Sequence, residues 1–314
     1  MALSKIETQA LDVGQIGGRR NLIINGAYTI WQRATTSSSN GVKTADRWQQ
    51  NDATFTQETS IVPDNFQYSM KVVANGSGTP LLLQKIERPQ VCGHVLNQDI
   101  TVSFYARSSN VNAITKLELN DEGGSGGRPD GGAQTLSAAD TWERITHTFT
   151  APFSSLTGNS VAVILTFATS ATVYISGFQV EVGSVATPFE HRSYGEELLA
   201  CYRYYYKLFP ELQDSYCSGS IYAYSTSNAV GNGMFPVKMR VAPTAIDLSA
   251  ATDWNLNKVG GYNRNVTGLT WGNTTNTQFY NLNYACSSND LTSAAIHYLK
   301  SANANAYIAW SAEL

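Results

Sequence analysis

The chain has 314 residues, of which only 14% are charged, and a formal net charge of -3. Ser, Thr, Asn and Gly fill the polar positions, and no Lys/Arg cluster stands beyond Arg19-Arg20, so there is no electrostatic basis for gripping phosphate backbones and nucleic-acid binding is disfavoured. No stretch approaches the roughly 18 apolar residues of a membrane helix, and the N-terminal residues lack the apolar core of a signal peptide, so synthesis and retention in a cytoplasm are expected, without membrane insertion.

The length is enough for two ordinary domains, each burying its own core. Residues 1–20 read as a short arm: Leu3, Ile6 and Leu11 give weak helical spacing that Gly14, Gly17 and Gly18 interrupt. Such a segment cannot bury a core alone; it is either a frayed arm or a peptide that docks on other subunits. Residues 21–193 carry repeated strand signals, with alternating apolar and polar positions at 101–106, 142–149, 162–167 and 173–178 and turn-rich pieces between them. Antiparallel strands in two packed sheets follow from that pattern.

Residues 194–214 hold one convincing helix and a linker. Leu198, Leu199, Tyr202 and Tyr205 or Tyr206 fall on one stripe, Glu196 and Glu197 suit a helix N-terminus, the aromatic run that follows either continues the helix or already leaves it for a strand, and Pro210 stops any regular element. From 215 to 314 strand signals return at 221–225, 234–240, 278–282 and 306–310, which predicts a second sandwich. In the first of these, Tyr222 and Tyr224 share one face and Ile221 and Ala223 the other, and either face could point inward. No short internal period is visible, so neither collagen, coiled coil nor a repetitive β-helix is indicated. The expected fold is all-β: two jelly-roll-like β-sandwich domains joined by a short helix, preceded by an arm.

Two phrases far apart resemble a known family. Asn21-Leu-Ile-Ile-Asn-Gly26 leads to Trp31-Gln-Arg33 and Ala45-Asp-Arg-Trp48, while Phe178-Gln-Val-Glu-Val-Gly183 leads to Thr187-Pro-Phe-Glu-His-Arg192 and then Tyr194-Gly-Glu-Glu-Leu198. They look like the first and last strands of one sandwich in bacteriophage tail-fibre and other virion adhesion proteins with a carbohydrate-module-like jelly roll. The run Phe235-Pro-Val-Lys-Met-Arg-Val-Ala-Pro-Thr244 and the terminal Ser-Ala-Glu-Leu314 resemble phrases of the distal domains of such fibres. The resemblance implies binding rather than catalysis, a homotrimer, attachment to other virion proteins through the N-terminal arm, a host surface glycan as the target of the 215–314 domain, and a structural role for His191. A structural head fibre and a polysaccharide depolymerase are the alternatives.

Reactive chemistry is scarce. Cys92, Cys201, Cys217 and Cys286 have no metal-ligand spacing and are expected as buried free thiols. The segment from Asp121 to Gly132 has many glycines but lacks the strand, helix and Lys-Ser/Thr of a phosphate loop, and it reads as a mobile loop. Its Asp121, Glu122 and Asp130 could alternatively supply oxygen ligands to calcium; no cofactor is otherwise indicated. Glycoside hydrolysis needs two carboxylates about 5–10 Å apart across a cleft, and Glu196 and Glu197 point about 100° apart on one helix. His94, His147, His191 and His297 accompany no nucleophile motif.

Aromatic side chains carry the binding argument, because sugar rings pack their C–H faces on Trp and Tyr while their hydroxyls bond to amides. Trp31, Trp48, Trp142 and Trp310 lie in strand-like phrases and are expected in cores. Trp254, Tyr262, Trp271 and Tyr280 sit among Asn255, Asn257, Asn263, Asn265, Asn273 and Asn276 and are the candidate ligand-binding residues, with packing inside the sandwich as the competing role.

Overall fold

A computed structural model describes residues 20–88, 95–124, 127–244, 246–258, 261, 263–272, 275–287 and 289–314. Tyr262, Cys92, His94 and all of the arm except Arg20 lie outside the described residues. The chain forms two compact units, Met1–Glu197 and Leu198–Glu313.

The first unit has ten strands: β1 (Thr36–Ser37), β2 (Gln49–Asn51), β3 (Ala53–Glu58), β4 (Ser69–Ala74), β5 (Leu81–Glu87), β6 (Ile100–Ser108), β7 (Ile114–Asp121), β8 (Glu143–Phe149), β9 (Ser160–Phe167) and β10 (Thr172–Val182). They form a six-stranded sheet, β1-β3-β4-β10-β6-β8, and a four-stranded one, β2-β5-β9-β7, with every pairing antiparallel. Alternation along the strands sends Phe55, Val72, Phe104, Ile175, Leu117 and Val163 into one core. Its centre is aromatic: Phe178 stacks on Phe104 with ring centroids 5.1 Å apart and meets the edge of Trp48 at 5.0 Å.

The opening and closing phrases of this unit are one hydrogen-bonded clasp. The Asn21 side chain donates to the Phe178 carbonyl at 3.0 Å and accepts from the Val180 amide at 3.1 Å, while Phe178 N–H donates to the Gly26 carbonyl at 2.8 Å. Gly26 is required here, since a Cβ would lie 2.2 Å from the Phe178 oxygen. Asn25, at φ 59°, spends its side chain on Ile30 and Asp46, and its carbonyl accepts from the Trp48 indole at 2.9 Å. From the closing side, Glu190 accepts the Asn21 amide, Arg192 donates to the carbonyls of Asn21 and Ile23, and Glu197 accepts the Asn25 amide. Ser193 and Glu196 form a reciprocal capping box that starts helix α1 (Tyr194–Tyr202).

The glycine-rich stretch is only partly a loop. Residues 127–134 run antiparallel along β7: Leu117 N–H donates to Gly132, Leu119 to Pro129, Asp121 to Gly127 and Gln134 to Ile114. The stretch covers the free edge of the four-stranded sheet, which an exposed β7 would otherwise present for aggregation. Glu118, buried on β7, receives Arg128 and Lys116; burial opposes its ionisation, and these hydrogen bonds outweigh burial and hold its carboxyl below the usual range.

In the second unit, β12 (Tyr216–Ala223), β13 (Asn228–Met234), β15 (Trp254–Asn257), β16 (Asn263–Trp271), β17 (Phe279–Cys286) and β18 (Ala295–Ser301) close into a barrel in the order β12-β13-β17-β16-β15-β18. A second sheet, β11-β19-β14, is formed by β11 (Tyr205–Leu208), β14 (Ile246–Leu248) and β19 (Ile308–Ser311). The all-β, antiparallel expectation holds for both units, and the distal one takes the form of a closed barrel with a small sheet. Of the two readings of the tyrosine run after the helix the strand is the one observed: Tyr206 pairs with Trp310 and stacks on its ring at 5.6 Å. Cys201 and Cys286 are buried and in no disulfide, whereas Cys217 is half-buried; burial pushes the thiols of Cys217 and Cys286 up to about 11.

Candidate functional site

The distal residues expected to bind sugar do not assemble into a site. Trp254 has 0% of its surface exposed and packs in the barrel core with Leu256, so the stacking role expected of it is withdrawn. Tyr280 is 8% exposed, with its ring 4.4 Å from Trp310 and 5.3 Å from Phe235, and burial raises its phenol pKa; it too is a core residue. Trp271 is half-buried and leans on the same core, and Tyr262 lies outside the described residues. The physical reason is barrel closure: every second residue of each strand must face inward, whatever the polarity of its neighbours. Closure also decides the β12 alternation, burying Ile221 and Ala223 completely and leaving Tyr222 and Tyr224 exposed.

The calcium reading fails on partners already taken. Asp121 accepts the amides of Thr157 and Gly158, Glu122 pairs with Lys85 at 3.0 Å, and Asp130 lies 3.6 Å from Lys116. Among the described residues no group of three His, Cys, Asp or Glu side chains is placed to hold a metal.

The face of the four-stranded sheet turned away from the main core carries Leu83, Ala162 and Ile164, which are themselves buried, with half-buried Leu81 beside them. No aromatic ring lies on that face among the described residues, so it has no stacking platform.

The outer face of the six-stranded sheet is different. Along β6 the alternation that buries Phe104 and Ala106 leaves Tyr105 and Arg107 outside; along β10 it buries Val173 and Ile175 and leaves Tyr174 outside. Register then builds a row across three adjacent strands, because Tyr174 pairs with Lys71 of β4 on one side and Arg107 of β6 on the other. Lys71 Nζ stands 5.8 Å from the Tyr174 ring centroid. In the neighbouring row Tyr105 pairs with Ser176 and Arg144.

Beside these rows lies an aromatic cluster. Phe66 is 5.5 Å from Tyr105, 5.1 Å from Phe189 and 5.1 Å from His191, while Phe189 and His191 are 4.9 Å apart. All four rings are partly or fully exposed. The closing phrase is pinned across this part of the sheet by Gln179, which accepts the Glu190 amide at 2.8 Å, and by Arg144, which donates to Ser103 Oγ at 3.0 Å and to the Thr187 carbonyl. Beneath the cluster is the bulge in β10 at Gly177, whose φ is 59° and where a Cβ would come within 2.6 Å of Phe66 and 2.9 Å of Tyr105. The rings thus rest on bare backbone. Trp142, expected in the core, is half-exposed just before Glu143 of β8, whereas Trp48 and Trp310 are buried. Sequence reasoning missed this face, although the polar partners alternating with Phe104 and Ile175 were its available signal.

No protein-family model matches the chain, and no curated protein matches its sequence. Solved structures that the chain resembles in part include the CBM22-1 xylan-binding domain of Paenibacillus barcinonensis Xyn10C, at 11% identity and a TM-score of 0.33, covering 53% of this chain and 96% of that one. The carbohydrate-binding module TmCBM61, solved with β-1,4-galactotriose, shares 12% identity at a TM-score of 0.33, covering 52% of this chain and 99% of that one. The enzymatically active domain of bacteriophage CBA120 tailspike protein 4 shares 14% identity at a TM-score of 0.31, covering 47% of this chain and 21% of that one. These are likenesses to carbohydrate-binding modules and to a phage tailspike domain.

Proposed function

We propose that the chain is a glycan-binding adhesion protein of a virion, of the tail-fibre type, which holds a host surface glycan without cleaving it. The observation that carries the reading is the outer face of the six-stranded sheet, where Tyr105, Tyr174, Phe66 and Phe189 present rings beside Lys71, Arg107 and the hydroxyls of Thr56 and Thr172. Rings for the apolar faces of a sugar and polar groups for its hydroxyls are the two elements such recognition needs. The phage setting is supported by the opening and closing phrases of the first unit, and on that reading residues 1–20 attach the chain to neighbouring virion proteins. The target face proposed here lies in the first unit, in place of the distal loops.

The test is a glycan array probed with the full chain and with Tyr174→Ala. Loss of one aromatic platform is expected to cost about 1 kcal/mol, roughly a fivefold weakening per site. Binding of the variant at full strength, with wild-type binding intact, moves the site to another face. Turnover of the captured glycan into shorter products would replace the adhesin reading with that of a depolymerase.

A further inference from the structure

The row Lys71–Tyr174–Arg107 says more about the ligand than that it is a sugar. Resting on the proposed glycan-binding role, we infer that this face selects an anionic glycan, whose carboxylate, sulfate or phosphate groups are taken by Arg107 and Lys71 on either side of the Tyr174 ring. Three adjacent strands separate the two cations by about 10 Å of sheet, with the tyrosine midway between them. At that spacing their mutual repulsion in water is small, and an anionic ligand lying over the ring is within reach of both.

Arg107 is uncommitted. Its Nε is sealed from water without a hydrogen-bond partner, and among the described residues it makes no ion pair. The residue is partly exposed, and the terminal nitrogens of its planar fork, which unlike Nε are not sealed, can meet a carboxylate or phosphate from solvent. Among the described residues Lys71 has a marginal ring contact at 5.8 Å and the field of Glu58, and no ion pair. That acid is engaged elsewhere: one of its oxygens accepts the amides of Thr59, Ser60 and Ile61, at 2.9, 2.7 and 3.3 Å. The Ser60 amide foremost, with the other amides and lastly Lys71, keeps the Glu58 carboxyl below its usual range, so its charge is held chiefly by the backbone and offsets Lys71 only in part. Glu143, the acid of the neighbouring strand β8, is likewise spent on the amide and hydroxyl of Ser137. The chain as a whole is acidic, so a pair of cations on this face is a local feature and not the overflow of a basic surface.

The experiment titrates the full chain with oligogalacturonate and with the same oligosaccharide methyl-esterified, which keeps the sugar rings and removes the charge. Sulfated and phosphorylated oligosaccharides on the same array distinguish the kinds of anion. The acidic form should bind about tenfold or more tightly than its ester, and Arg107→Gln and Lys71→Gln should each remove about tenfold of that preference, as loss of a charge-assisted hydrogen bond does. Raising the salt should weaken the acidic ligand and leave any neutral one unchanged. Unfolding temperatures of both variants confirm that the sheet persists. Equal binding of acid and ester, or of some neutral glycan alone, overturns the anionic selection and leaves the adhesin reading standing. Unchanged affinity of both variants for an acidic ligand overturns the assignment of these residues. Binding to no glycan of either kind overturns the adhesin reading together with this inference.

Discussion

Replacing Gly26 by Ala tests the claim that the two distant phrases of the first unit are one clasp. The new Cβ would stand 2.2 Å from the Phe178 carbonyl oxygen and 3.2 Å from its carbon. Both are backbone atoms, so no side chain can swing aside. Relief needs a separation of about 1 Å, which stretches the 2.8 Å bond from Phe178 N–H to the Gly26 carbonyl and disturbs the 3.0 Å bond from Asn21 to the Phe178 carbonyl beyond useful length. Two hydrogen bonds at about 1 kcal/mol each, plus about 2 kcal/mol for polar groups left buried without partners, give a loss of about 4 kcal/mol. For a unit of this size that lowers the melting temperature by about 12 °C. Scanning calorimetry of the full chain should show that drop, and hydrogen exchange should show lost protection at Phe178 and Val180 with the strands of the second unit unchanged. A melting temperature within about 2 °C of wild type, with protection at Phe178 intact, would refute the clasp.

Trp254→Ala should destabilise the second unit by about 3–5 kcal/mol through the cavity it leaves, without altering glycan capture; Trp254→Phe should cost less, because the Trp254 indole N–H has no partner to lose. Chemical denaturation paired with the array reads both effects. Burial, followed by the nearby Lys258, outweighs a contact to the Ala295 carbonyl and lowers the pKa of His297, so the folded state holds the ring neutral. Its contribution is therefore complete above the unfolded histidine value of about 6.5 and is lost as pH falls below that. Between about pH 7 and 5 stability should decline, and His297→Gln should flatten the decline; an unchanged slope refutes the assignment. The exposed barrel row in which Tyr222 pairs with Ile296 and Val230 should drive self-association, so that light scattering gives a multiple of 34.1 kDa and Tyr222→Asp lowers it. A folded wild-type chain of 34.1 kDa at micromolar concentration excludes such assembly.

What could be read along the chain was whatever one strand or one phrase encodes. Alternation at 101–106 and 173–178 marked strands, the glutamates after Ser193 marked a helix start, and the two family-like phrases marked the ends of one sandwich. Their hydrogen bonds explain why Asn21, Asn25, Gly26, Glu190 and Arg192 stand where they do. The amide-rich surroundings of Trp254 misled, because Asn255 is itself buried, and neighbours along a chain do not report the direction of a side chain once a barrel closes.

The all-β class, most of the strands expected in the first unit and the weakly charged composition follow from the sequence alone through local periodicity, whereas the strand expected at 234–240 lies at Asn228–Met234, because pairing with β17 and not local pattern sets its bounds. Which face of each strand meets water was decided only by the tertiary structure, through barrel closure in the second unit and sheet packing in the first. So was the row Lys71–Tyr174–Arg107: its members come from strands far apart in sequence, and only the order β4-β10-β6 brings them side by side. That order is a property of how the whole sandwich buries its apolar faces, which no single strand carries.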